Sequence, residues 1–155
     1  DLGAEPWALD LSGLAKLRSV KLQSCGSLKS VDMTGTAVTE IGAHFLLWCV
    51  KVESIRFPAA LRSIGDNFGA GTRALTAVDL SGTKVSATFP LFCASCPALQ
   101  RVAMPATLKY LGQRAHPLAQ AAARLVGAFV QDDDRGALPA DPLQLAAAHS
   151  VGCAL

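Results

Sequence analysis

Nowhere in its 155 residues does the chain concentrate positive charge: 14 Lys and Arg are scattered against 12 Asp and Glu, for a formal net charge of +2. A concentrated basic face is the electrostatic footprint of a nucleic-acid binder, and its absence excludes that class. No Asn-x-Ser/Thr sequon occurs, and the five cysteines are an odd number. Both features favour a reducing, cytoplasmic compartment, with the cell surface as the alternative. No long apolar run is present either. The most apolar stretch, Leu118 to Val130, contains Gln120 and Arg124 and is too short to cross a bilayer. No signal peptide or membrane span is visible. The chain begins at Asp1 without a Met, so a fragment or a processed product is expected. With 51% hydrophobic residues, the sequence is expected to fold around one core rather than to be disordered.

The motifs of common chemistries are also missing or incomplete. "CASC" (93–96) has the Cys-x-x-Cys spacing of redox and zinc sites. A structural zinc site needs four ligands, and there is no second pair to supply them. A thioredoxin-type pair opens a helix after a strand, whereas this one follows "FPLF". "GDNFGAGT" (65–72) is glycine-rich but lacks the Lys-Ser/Thr ending of a phosphate loop. His44, His116 and His149 fall in no motif that joins a Ser or Cys nucleophile to a His and an acid. A non-enzymatic protein without cofactor or metal is therefore expected, with a thiol oxidoreductase built on Cys93 and Cys96 as a distant alternative.

What the sequence does contain is a repeat. "VDMTGT" (31–36) and "VDLSGT" (78–83) are near copies, and "DLSG" occurs at both 10–13 and 79–82. Apolar-x-apolar pairs stand at Leu9/Leu11, Val31/Met33, Ile55/Phe57, Val78/Leu80 and Val102/Met104, spaced by 22, 24, 23 and 24 residues. A second apolar column lies half a period on: Leu17/Val20, Val38/Ile41, Leu61/Ile64 and Leu108/Leu111. The fourth rung offers Val85, Thr88 and Phe89 there. Phe45, Phe68 and Phe92 follow, and Gly42, Gly65 and Gly112 directly succeed the second column. Alternation at period two is strand-like. A strand recurring with each repeat implies a coil that runs out along a strand and returns on the opposite side. Stacked turns then lie in parallel at about 4.8 Å. No turn can bury its apolar face alone, so neighbours share a core.

This register gives Cys96 a structural place. Cys25, Cys49, Thr72 and Cys96 each stand six residues before the central strand residue, forming one column at the corner entering the strand. Such a corner suits a small side chain that can be buried and can hydrogen-bond loop backbone. By the same register Trp48 has Gly71 and Ser95 as counterparts, and buried packing is expected for it. The outward strand column reads Asp10, Asp32, Arg56, Asp79, Ala103, flanked by Lys29/Glu53/Thr76/Gln100 and Ser12/Thr34/Pro58/Ser81/Pro105. Arg56 is expected between Asp32 and Asp79, where cross-strand charge pairs contribute about 0.2–1 kcal/mol. A stacked sheet presents a long concave face, and Asp32, Glu53, Arg56, Asp79, Gln100 and Arg101 are candidate partner contacts on it.

The repeat fades after Gly112, which sets a solenoid of about five rungs at 1–112 against an Ala-rich helical cap or tail, partly disordered, at 113–155. "HPLAQAAARLVGAFV" (116–130) places Leu118, Ala122, Leu125, Val126 and Phe129 on one helical face, with Pro117 at the first helical position. A helix across the last rung would cap the open sheet. Asp141-Pro142 is read as the start of a short last helix running through Ala148.

"ALRSIGDNFGAGTRALTAVDLSG" (60–82) resembles the leucine-rich repeats of the BspA-like surface-antigen class, with Ile64, Gly65, Phe68, Leu75 and Val78 matching in place. The "V-D-M-T-G-T" wording is similar to large protozoan leucine-rich repeat families. The resemblance covers about residues 7–112, and the fourth rung departs from it, having Thr88-Phe89 where Ile-Gly is expected. It implies an α/β leucine-rich repeat solenoid with short parallel strands on the concave face, irregular returns and a C-terminal helical cap. It also implies protein–protein interaction, with surface adhesion or structural display as the alternative, and no cofactor.

Overall fold

The computed structural model describes residues 7–131. Each period of the repeat makes one turn of a solenoid, and short parallel strands lie on both sides of the shared core. On the first side run β1 (Trp7–Asp10), β2 (Leu28–Asp32), β4 (Ser54–Arg56), β6 (Ala77–Asp79) and β8 (Arg101–Ala103). On the return side run β3 (Glu40–Ile41), β5 (Ser63–Ile64), β7 (Ala87–Thr88), β9 (Tyr110–Leu111) and β10 (Phe129–Val130). One helix, α1 (Pro117–Leu125), precedes β10.

Pairing follows the period. Leu9 faces Val31 and Val31 faces Ile55. Val78 faces Val102. On the return side Ile41, Ile64, Thr88, Leu111 and Val130 form a continuous row across five strands. The inward residues of both columns, from Val31 and Met33 to Leu108 and Leu111, make one core. Phe45, Phe68 and Phe92 stack along its axis, with ring centroids 5.9 and 5.2 Å apart. These near-parallel offset rings add to the burial of large apolar areas. The fourth rung keeps the geometry despite its altered wording: Thr88 takes the place of isoleucine and is fully buried, although its hydroxyl has no partner.

After the second column, glycine is a matter of space at Gly65 and Gly112 but not at Gly42, where a Cβ would meet nothing within 4 Å. A Cβ on Gly65 would lie 2.6 Å from the Ala43 nitrogen, and one on Gly112 would lie 2.5 Å from the Phe89 carbonyl carbon. The backbone of the preceding turn occupies the room a side chain needs. Between that glycine and the next strand the chain forms an arc in which alternate residues adopt positive φ. His44, Leu46 and Trp48 do so in one turn, Asn67, Gly69 and Gly71 in the next, and Leu91, Cys93 and Ser95 in the one after. Their amides staple the turns in both directions. Asn67 N–H donates forward to the Pro90 carbonyl, Gly69 N–H back to Phe45 and Gly71 N–H forward to Ala94, at 2.8–2.9 Å. Left-handed backbone is disfavoured for L-residues by about 1–2 kcal/mol each, and at His44, Leu46 and Trp48 the same kind of inter-turn bond, to the Asp66, Leu22 and Ala70 carbonyls at 2.8, 2.6 and 3.0 Å, offsets that penalty.

The strand ladder has one interruption: β4 and β6 are neighbours, but no hydrogen-bonded ladder joins them. At this turn the chain reads Arg56-Phe57-Pro58, where the adjoining turns read Asp32-Met33-Thr34 and Asp79-Leu80-Ser81. The Phe57 ring tucks against Phe68 at 5.8 Å, filling more room than Met33 or Leu80. Pro58 fixes φ and brings no N–H.

The C-terminal helix departs from expectation in two ways. It stops at Leu125, and Phe129 belongs to β10. Its buried residues are Ala119 and Ala123, in line with buried Ala115, whereas Leu125 is 88% exposed. Alanines four residues apart leave a flat stripe that approaches the last rung closely, and leucines on the expected face would hold the helix away. Beyond it, Tyr110 donates its hydroxyl to the Gln131 side-chain oxygen at 2.7 Å and stacks on Phe129, fastening β10 to β9. The helix read from Asp141-Pro142 to Ala148 lies outside the described residues.

Candidate interaction face

The outward strand column faces solvent, with Asp10, Arg56 and Asp79 exposed and Asp32 and Ala103 half-buried, and its charges are used in two different ways. Asp10, Asp32 and Asp79 bend back onto their own turns. Each carboxylate accepts from the N–H two residues on, at 2.9 Å. Each also accepts the hydroxyl of that same residue, from Ser12 at 2.5 Å, Thr34 at 2.7 Å and Ser81 at 2.6 Å. Thr36 and Thr83 complete the corner by donating to the Met33 and Leu80 carbonyls at 2.8 and 2.7 Å. The recurring "D-x-S/T-G-T" wording is thus a hydrogen-bonded exit from the strand. The Ser12 and Ser81 bonds hold the Asp10 and Asp79 carboxyls below the usual carboxylate range, and Arg101 adds a smaller electrostatic pull on Asp79.

Arg56 faces Asp32 in register. Its guanidinium is exposed and makes no hydrogen bond or ion pair with the described residues. It stands at the interruption between β4 and β6, where a cleft of about 330 Å³ opens. Ile55, Phe57 and Ala59 give this cleft an apolar floor, and Arg56, Asp79, Thr34 and Ser81 rim it. Beside the column, Lys29 and Glu53 form an exposed ion pair at 3.7 Å. Gln100 and Arg101 carry exposed side chains on the last strand of this side. Asp32, Glu53, Arg56, Asp79, Gln100 and Arg101 therefore share one face, with Arg56 and Asp79 lining the same cleft. The cleft itself escaped the sequence reading. Its signal was the replacement of "D-x-S/T-G-T" by Arg56-Phe57-Pro58-Ala59-Ala60.

Trp48 contradicts its expected burial: it is 53% exposed. Its backbone is left-handed, with φ of 57°, and its ring lies against the next turn's glycine. A Cβ on Gly71 would come within 2.7 Å of the ring. The indole covers that turn from outside because a glycine leaves the space there.

The corner column behaves as a packing device. Cys49, Thr72 and Cys96 are buried. Thr72 donates its hydroxyl to the Leu46 carbonyl and the Cys96 thiol donates to the Gly69 carbonyl, both at 3.1 Å. Burial pushes the Cys93 thiol well up, which disfavours the nucleophilic thiolate. Among the described residues no group of three or more His, Cys, Asp or Glu is placed to hold a metal. No helix among them is long and apolar enough to cross a membrane.

The model of the BspA type leucine rich repeat region matches residues 14–117, in six copies. The chain belongs to this repeat family. Comparison with curated proteins and with solved structures returns no match. BspA-type repeats are a protein-interaction or surface-repeat architecture, and here the motif residues Ile64, Gly65, Phe68 and Val78 all serve the stacking just described.

Proposed function

We propose that the chain is a non-enzymatic protein–protein interaction module that holds its partner on the β1–β2–β4–β6–β8 side, through Glu53, Arg56, Gln100 and Arg101, with Asp32 and Asp79 framing the contact. The observation that carries this reading is Arg56, an exposed guanidinium with no hydrogen bond or ion pair among the described residues, at the rim of a cleft with an apolar floor. An arginine that can pair in a planar, bidentate way beside apolar surface is a common interface anchor. Acidic and basic residues are mixed on the face, which suits a protein surface better than a polyanion. A second reading, structural display, draws on the Asp10, Asp32 and Asp79 carboxylates, which are already satisfied by their own turns.

Replacing Glu53→Lys and Arg56→Glu together separates the two. With the far-UV circular dichroism unchanged, the interaction reading expects partners recovered from source extract by the wild-type chain to be lost from the double variant. Equal recovery by both proteins would remove this face from the proposal and leave display.

A further inference from the structure

Cys25 and Cys49 occupy the same corner column on neighbouring turns. Two residues before them, Gln23 and Leu47 are partnered in parallel register, and Ser24 N–H donates to the Leu47 carbonyl at 2.9 Å. Advancing two residues on both segments brings Cys25 opposite Cys49. Ser24 and Trp48, which directly precede them, share left-handed φ of 53° and 57°, so the two arcs stay in step, and turns stacked at about 4.8 Å fall inside the roughly 4.4–6.8 Å between Cα atoms that a disulfide spans. The Cys25 backbone N–H donates to Cys49 Sγ at 3.3 Å, so the sulfur of one turn already rests against the backbone of the other. Both are free thiols; Cys49 is buried and Cys25 half-buried. The rest of the column differs. Thr72 and Cys96 donate to carbonyls of the preceding turn, whereas Cys49 meets Cys25.

The geometry points to Cys25 and Cys49 as a disulfide-forming pair that staples the first two arcs of the solenoid under oxidising conditions. The oxidant is a small-molecule disulfide such as oxidised glutathione. The Cys25 thiolate attacks one glutathione sulfur, forming a mixed disulfide and releasing one glutathione thiolate. Cys49 gives its proton to water and attacks the Cys25 sulfur, forming the protein disulfide and releasing the second glutathione. Two protein thiols are oxidised, one glutathione disulfide is reduced to two thiols, and the two protons follow the leaving groups. Cys25 is the accessible member and makes the first attack. Burial lifts the Cys49 thiol to about 11, so closure of the disulfide accelerates as pH rises through the alkaline range.

The test is a peptide map of the full chain incubated with oxidised glutathione, alkylated and digested with trypsin. The expected product is a cross-link between residues 22–29 and residues 30–51, lost on reduction and absent from Cys25→Ser. Cys49→Ser is expected to stop at the glutathione adduct on Cys25. The cross-linked chain is expected to melt about 5–10 °C above the reduced one. A wild-type map in which Cys25 stays as a glutathione adduct, or pairs with a cysteine other than Cys49, would overturn the assignment. So would an oxidised chain whose melting temperature does not rise. The wild-type map decides the matter even if a serine variant fails to fold.

Discussion

Thr88 bears the plainest local cost in the core. It stands in a row with Ile41, Ile64 and Leu111, fully buried, and its hydroxyl finds no partner. Valine has nearly the same shape without the stranded polar group, and an unsatisfied buried hydroxyl costs about 1–3 kcal/mol. Thr88→Val is therefore expected to raise stability by about 1 kcal/mol, read as a shift of the urea midpoint at unchanged slope. The strand-exit aspartates carry a pH dependence of the opposite origin. Asp10 and Asp79 are held below the usual carboxylate range by Ser12 and Ser81. Their folded values lie below the unfolded 3.8, so their contribution is complete above about pH 4 and is lost as pH falls through the folded values. Both are exposed, so the effect is modest, and Asp79→Asn is expected to flatten the acid limb of stability measured between pH 2 and 5. The sequence showed these residues as a column and the register that sets Arg56 opposite Asp32, but the expected charge pair does not form between them. It could not show that the aspartates are already engaged, because "D-x-S/T-G" in a strand face reads equally as charge on display. Trp48 was illegible for a similar reason: its exposure depends on the φ of 57° and on the glycine one turn away.

At the level of the element, the arcs carry left-handed backbone and the helix cap carries a titratable group. Gly71 has φ of +75°, and a side chain there would strike the Trp48 ring. Gly71→Ala is expected to destabilise the chain by more than about 1 kcal/mol, and pairing it with Trp48→Ala should recover the steric part but not the backbone part. A double-mutant cycle in chemical denaturation measures both. Helix α1 is capped by His116, whose Nδ1 accepts from the Leu118 N–H at 3.1 Å. Burial lowers the His116 pKa below 6.5. A folded value below the unfolded one means that the unfolded chain takes up protons first, so stability falls as pH drops from about 6.5 towards the folded value. Protonation also removes the acceptor that caps the helix. His116→Asn keeps a capping oxygen without titrating in that range, and is expected to abolish the decline between pH 7 and 5. That the helix buries Ala119 and Ala123 rather than Leu118 and Leu125 was not legible from hydrophobic spacing. Close approach to the last rung selects small residues, and a hydrophobicity pattern weights large ones.

For the molecule as a whole, the repeat carried the architecture. A short strand and a return recurring at a common period fix a stacked coil, since neither column has another way to leave water. The β4/β6 cleft lay beyond that reasoning, because it arises from an exception at Phe57 and Pro58 rather than from the rule. The same stacking sets the face on which Glu53, Arg56, Gln100 and Arg101 stand, so the proposed interaction inherits whatever is true of the register. The measurement that bears on it most directly is a set of cross-strand nuclear Overhauser contacts in solution. Stacked parallel turns predict backbone contacts joining Val31 to Ile55 and Val78 to Val102. On the return side they predict contacts along the row Ile41, Ile64, Thr88, Leu111 and Val130. Sequential helical contacts through residues 28–111, with no contacts between residues one period apart, would contradict it.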